Sequence, residues 1–214
     1  MKIVAIIQAR MGSTRLPGKV MMKIAKKTVL DHVVTRVRQS QLIDEIIIAT
    51  TIEQEDDIIV EEARKIGVKT YRGSEEDVLS RYYYAAKEND ADTIIRITSD
   101  CPLIDPKITD EIIKFYKKHE YEIVANASSD LSKRTFPRGL DVEIFSFSQL
   151  EIAFMKAYEK YQREHVTPYI YEKAKKIYFY KNDVDYSKYR WTLDTEEDFE
   201  LICRIYDELY KGSH

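Results

Sequence analysis

The chain is poor in the residues that loosen or staple a backbone. Its 214 residues include only 6 glycines, 5 prolines and 2 cysteines. So little glycine and proline excludes long linkers and low-complexity segments. Two cysteines, Cys101 and Cys203, cannot form a disulfide framework, and with no leader sequence in view they read as reduced cytoplasmic thiols. Long hydrophobic runs are also missing. The longest, Ile3–Ile7 and Ile46–Ala49, fall far short of a membrane span. No Cys/His zinc pattern is present, His32, His119 and His165 lack metal-ligand spacing, and there is no G-x-S-x-G elbow. His214, in the closing Gly212-Ser213-His214, is set aside as an expected cloning remnant.

Net charge is nearly absent too, at −3, but that total conceals an asymmetry. Residues 1–40 carry nine basic side chains against the single acid Asp31. The remainder is correspondingly acidic. Such a balance argues against a nucleic-acid or membrane coat and leaves room for a small-anion site near the start of the chain.

What is present is a repeated strand–helix alternation. Ile3–Ile7 reads as a buried parallel strand ending at Gln8. Helical spacing of Val29, Leu30, Val33, Val34 and Val37 predicts a helix near 28–40. Strands at 46–49, 68–71 and 93–97 alternate with helices at 55–66, 76–89 (with Ser74 as a cap) and 106–119. This pattern predicts an α/β fold with a largely parallel sheet, binding its ligand at the carboxyl ends of the strands. After residue 120 the pattern changes. Strands are expected at 123–125, 142–145, 177–180 and 190–193, and helices near 148–160, 162–175 and 195–210. Eight of the 16 tyrosines fall between Tyr158 and Tyr189, as half-exposed packing, a subunit interface or a substrate wall.

The most informative segment runs from Gln8 to Lys19. It joins two glycines, two hydroxyls, two arginines and a lysine at a strand end. Backbone N–H groups freed by glycine cradle phosphate oxygens, arginine offers a fork of donors and lysine a mobile charge. It is not a Walker loop. Five residues separate Gly12 from Gly18, and Val20 stands where a magnesium-binding hydroxyl would follow Lys19. Metal ligands must then come from elsewhere. Asp100, after the Thr93–Ile97 strand, and Asp194, before the last helix, are candidates for magnesium. Each also has an ordinary explanation, Asp100 as a turn residue and Asp194 as a helix cap. Cys101 reads as a small buried residue.

These segments resemble the sugar cytidylyltransferases, the family of the acylneuraminate and 3-deoxy-manno-octulosonate enzymes, and most of all the branch named for spore-coat polysaccharide biosynthesis protein F. The resemblance rests on Ile7–Lys19, Asp77–Tyr83, Ser99–Leu103, Gly139–Glu143, Arg163–Thr167 and Asp194–Asp198, in that order along the chain. One departure is Gln8, where the sialate and octulosonate enzymes have proline. The resemblance implies a Rossmann-like three-layer α/β/α sandwich of the nucleotide-diphospho-sugar transferase type, with a mixed, mostly parallel sheet. It implies a single domain over 1–214, with a nucleotide half at 1–120, an acceptor and dimerisation excursion at 121–190, and a closing segment at 191–211. Catalysis would fall to Arg10, Arg15, Lys19 and Asp100. Nucleotide binding would use Gln8, Ala9, Arg10, Gly12, Ser13, Lys19, Arg81 and Ser99. Arg138, Asp141, Glu143 and His165 would meet the acceptor, and Asp100 and Asp194 would hold Mg2+. The implied partners are CTP and a sugar acceptor, with a second copy of the chain as a homodimer, in the cytoplasm.

Overall fold

The computed structural model describes every residue except Ser129 and His214, so His214 lies outside the described residues. A seven-stranded sheet organises the chain in the order β5-β4-β1-β6-β8-β7-β9. Its strands are β1 (Ile3–Gln8), β4 (Glu45–Thr51), β5 (Lys69–Gly73), β6 (Thr93–Thr98), β7 (Ile123–Ala125), β8 (Glu143–Ser146) and β9 (Ile177–Phe179). Only β8 runs against the others, pairing antiparallel with both β6 and β7. No helix among the described residues is long and apolar enough to cross a membrane.

Side-chain alternation explains the layers. Ile3, Ala5 and Ile7 of β1 pack on one face with α1 (Val29–Val37), α2 (Asp57–Lys65) and α4 (Pro106–Lys118). Val4 and Ile6 pack on the other with α3 (Val78–Glu88), α5 (Phe147–Lys156) and α7 (Pro168–Lys173). Both faces of the sheet are therefore covered, as the near-continuous apolar strands require.

Helix ends follow local chemistry. Thr28 and Asp105 cap α1 and α4, and α2 stops before Gly67 at φ 67°. At α3 the expected cap is corrected. Asp77, not Ser74, accepts from Ser80 N, while the Ser74 hydroxyl accepts from Asp77 N one step upstream. The expected 162–175 helix is two helices, α6 (Lys160–His165) and α7, separated by Val166 at φ 70°. The expected strand at 190–193 reduces to one bridge between Arg138 and Arg190. A small hairpin, β2 (Lys23–Ile24) and β3 (Lys27–Thr28), was not legible. Its turn places Ala25 and Lys26 at positive φ without the Asn-Gly signal that marks such turns.

A third, smaller core positions the functional loops. Leu16 of the Gln8–Lys19 segment, Ile24, Val29, Leu193, and Ile202 and Tyr206 of α8 (Glu196–Leu209) pack together. The Tyr206 hydroxyl donates to Pro102 O at 2.7 Å, tying α8 to the loop after β6 as well. Leu193 is fully buried here. Leu193→Ala is expected to destabilise the protein by about 2–5 kcal/mol, read as a lower urea midpoint at unchanged slope.

Candidate active site

β1 sits at the point where strand order reverses, with β4 on one side and β6 on the other. Gln8 is in register with Ala49 of β4 and with Thr98 of β6. The segments leaving β1 and β6 thus open into one crevice at the carboxyl edge, the usual ligand position in such sheets.

The Gln8–Lys19 segment is tightly folded. Buried Asp56 accepts from Met11 N at 2.7 Å, and Met11 O accepts from both Ser13 N (2.7 Å) and Gly18 N (3.0 Å). Gly18 adopts φ 69°, which suits glycine and turns the chain into Lys19. The Lys19 ammonium then donates to Asp100 Oδ2 (3.2 Å), Asp194 Oδ1 (2.9 Å) and Leu193 O (2.8 Å). Asp194 also meets Arg15 Nη2 at 3.0 Å and Arg190 Nη2 at 2.7 Å. Burial alone would raise the Asp194 carboxyl, but hydrogen bonds from Lys19 and Arg190 outweigh it and hold it below the usual aspartate range.

Neither carboxylate serves a cap. Thr195 caps α8 and forms the capping box with Asp198, which leaves the Asp194 side chain free to face the crevice. Asp100 accepts from the Thr98 hydroxyl at 2.5 Å. The backbone joins the two segments, Leu193 N donating to Asp100 O at 2.8 Å. Nearby, Gly139 at φ 101° lies against Trp191, and an added Cβ would fall 2.5 Å from its carbonyl carbon. Only glycine lets residues 138 and 190–191 approach so closely.

Two cavities meet at these carboxylates. The first, about 490 Å³, is lined by Gln8, Ala9, Arg10, Ser13, Arg15, Lys19, Arg81 and Ser99, all expected near a nucleotide. The second, about 810 Å³, is lined by Arg138, Asp141 and Glu143, expected near an acceptor. Thr98, Asp100 and Asp194 line both.

Two expected site residues sit apart from the groups they were placed with. Gly12 is not among the lining residues; it faces the Glu55 and Glu75 carboxylates. His165 opens into the first cavity, not the second. The chain reverses there in a γ-turn: Thr167 N donates to His165 O at 2.9 Å across Val166, which leaves His165 at the first cavity and the Thr167 side chain buried against Glu143.

Arg81 is almost wholly buried, and burial pushes its pKa down. It donates to Ala49 O at 3.2 Å, and its Nε has no partner among the described residues. Arg10 pairs with Glu75 at 2.8 Å. Sequence reasoning missed Arg190 and Asp198, although they stand four residues either side of Asp194. It also missed Arg96 and Arg134 in the second cavity, which no motif spacing marks.

The two carboxylates suit a hard dication. They are oxygen donors already gathered round one cation, the Lys19 ammonium. Among the described residues no group of three or more His, Cys, Asp or Glu could hold a metal. Two carboxylates are what magnesium takes where phosphates and water complete its shell.

A basic, glycine-containing loop and a carboxylate pair meet at the switch point of a mostly parallel sheet, an arrangement of the nucleotidyltransferase type. Residues 4–209 match the cytidylyltransferase family, and the chain belongs to it: it is a cytidylyltransferase. It is 43% identical to an uncharacterized protein of Methanocaldococcus jannaschii, over 96% of this chain and 83% of that one. It is 36% identical to the spore coat polysaccharide biosynthesis protein SpsF of Bacillus subtilis, over 96% and 87%. A solved cytidylyltransferase from Leptospira borgpetersenii superposes with a TM-score of 0.90 at 41% identity, covering 97% of this chain and 87% of that one. The expected fold is thus borne out.

The depressed Asp194 pKa sets a pH dependence. A carboxylate with a lowered folded-state pKa contributes stability above its unfolded value and loses it as pH falls through the folded one. The stability gap between wild type and Asp194→Asn should be constant from neutral pH to about pH 5. It should narrow steadily below the ordinary aspartate value of 3.8, measured by urea denaturation at each pH.

Proposed function

We propose that the chain transfers CMP from CTP to a sugar acceptor, with release of pyrophosphate and dependence on magnesium. The observation that carries this reading is that the two cavities share Asp100 and Asp194. A nucleotide in one and an acceptor in the other would meet at the two carboxylates.

The first cavity is lined by five basic and five acidic side chains, so the protein alone offers a triphosphate little net attraction. Magnesium held by Asp100 and Asp194 would supply the missing positive charge at the α-phosphate and acidify the attacking hydroxyl. The acceptor oxygen attacks the α-phosphorus, the bond to the β-phosphate oxygen breaks, and pyrophosphate leaves. The hydroxyl proton passes to solvent. Lys19 and Arg15, now paired with Asp194, exchange that carboxylate for oxygens of the departing pyrophosphate. Arg10, Ser13 and the backbone of Gln8 and Ala9 hold the triphosphate, with Ser99 and Arg81 at the nucleoside side. No covalent intermediate is needed, because positioning and electrostatics carry phosphoryl-type transfer.

On the acceptor side, Arg138 is exposed in the second cavity and has no ion-pair partner among the described residues. A guanidinium left unpaired suits a sugar carboxylate. Asp141 pairs with Arg134 at 2.6 Å; burial raises its carboxyl pKa against that pairing. The SpsF relative supports a role in surface-polysaccharide biosynthesis. A single domain over 1–214, a cytoplasmic site of action and a homodimer complete the proposal.

Two measurements test it. With magnesium, CTP should raise the melting temperature by mass action while UTP, GTP and ATP do not. With CTP and a panel of 2-keto-acid sugars and neutral deoxysugars, wild type should release pyrophosphate with at least one acidic sugar. Asp100→Ala and Asp194→Ala should cut turnover at least about 10²-fold while keeping a cooperative melt. Undiminished turnover in either variant would sink the carboxylate assignment.

A further inference from the structure

The second cavity holds two guanidiniums of a different kind from Arg138. Arg96, on β6, is anchored by Nη1 to Glu143 Oε2 at 2.5 Å. Arg134 is anchored by Nη1 to Asp141 Oδ1 at 2.6 Å and more weakly to Phe136 O. Their side chains are only 18% and 5% exposed, and both line the cavity. The Nε of each is sealed from water without a partner, and Nη2 of each has none among the described residues. Buried guanidiniums seldom leave so much donor capacity unused.

Their anchors are themselves built in. Glu143 Oε1 accepts from the Thr167 hydroxyl at 3.0 Å and from the Tyr171 hydroxyl at 2.8 Å. Three of the roughly four acceptor positions of Glu143 are therefore taken by the protein, and what it does there is hold Arg96. Thr167 reaches it through the γ-turn at Val166. A β-branched residue at positive φ is costly and persists only where the surroundings over-determine it.

Resting on the transfer reaction above, we propose that Arg96 and Arg134 are specificity residues that read neutral hydroxyls of the acceptor, with Glu143, Thr167 and Tyr171 as positioning residues. Each guanidinium already has its own carboxylate, so a second anion would gain little there. A hydroxyl oxygen can still accept from Nη2 of each, which is not among the sealed atoms. Arg138, without such a partner, is left for the acceptor's one anionic group. The acceptor is then a polyhydroxylated sugar with a single anionic group, not a dianion such as a sugar phosphate.

The test separates acceptor recognition from nucleotide binding. Pyrophosphate release is measured with CTP and magnesium, using 3-deoxy-manno-octulosonate, N-acetylneuraminate and glucose 1-phosphate as probes, on wild type, Arg96→Lys, Arg134→Lys and Tyr171→Phe. A lysine in place of either arginine keeps the charge but loses the fork, and should raise the KM of the active acid sugar about tenfold or more. The KM for CTP, kcat and the CTP-induced melting shift should stay within about twofold. Tyr171→Phe should show the same split, several-fold in size. Acceptor KM unchanged in both lysine variants, or CTP KM rising in step with it, overturns the inference while leaving the transfer reaction standing. Wild type preferring glucose 1-phosphate overturns it as well. Wild type releasing no pyrophosphate with any probe removes the reading on which it rests and the inference with it.

Discussion

A lysine ammonium within 3.2 Å of one aspartate and 2.9 Å of another is what the rest of this molecule is arranged around. Two carboxylates brought together repel, and they need a cation between them to persist in a partly buried site. Lys19 supplies that cation, while Arg15 and Arg190 share Asp194. The third core makes the arrangement rigid, since Leu16, Leu193 and α8 pack beneath the same segments that carry the charges. Packing and electrostatics thus support one another: apolar burial fixes the backbones, and the fixed backbones hold the charges in register.

The same arrangement explains how one sheet can serve two ligands. β6 delivers Thr98 and Asp100 to the wall common to both cavities, and Arg96, two residues earlier, into the second. The reversed strand β8 brings Glu143 beside Arg96, through the register Arg96↔Glu143. A purely parallel neighbour would need a crossover there, and the carboxylate that anchors Arg96 would come from elsewhere. The γ-turn at Val166 likewise parts His165, at the first cavity, from Thr167, whose buried hydroxyl meets Glu143.

Much of the fold was legible because its determinants are local. The β-branched runs of β1, β4 and β6 and the helical spacing in α1 depend on neighbours within a few residues. The failures were also local in form but tertiary in cause. Ala25 and Lys26 take positive φ with no glycine because Ile24 and Val29 are pinned in the third core. Residues 190–193 have strand-like composition, yet nothing continues the sheet there, and their backbone bonds go to Asp100 and Arg138 instead. Val166 splits a helix that periodicity alone would have continued.

From its sequence alone the chain determined its class: a mostly parallel α/β sheet, a basic glycine-containing loop after the first strand, and carboxylates at later loop positions. Those are properties of spacing and composition, which short-range sterics and periodicity translate directly into structure. The tertiary structure decided which charges meet. Lys19 is 81 residues from Asp100 and 175 from Asp194, and no local rule could pair them. It decided that His165 faces the first cavity, that Gly12 turns toward Glu55 and Glu75, and that Arg96 and Arg134 face the second. Periodicity tells which face of an element is buried, but not what it is buried against. Ion pairing between distant segments depends on that second fact, which exists only once the sheet has closed its order.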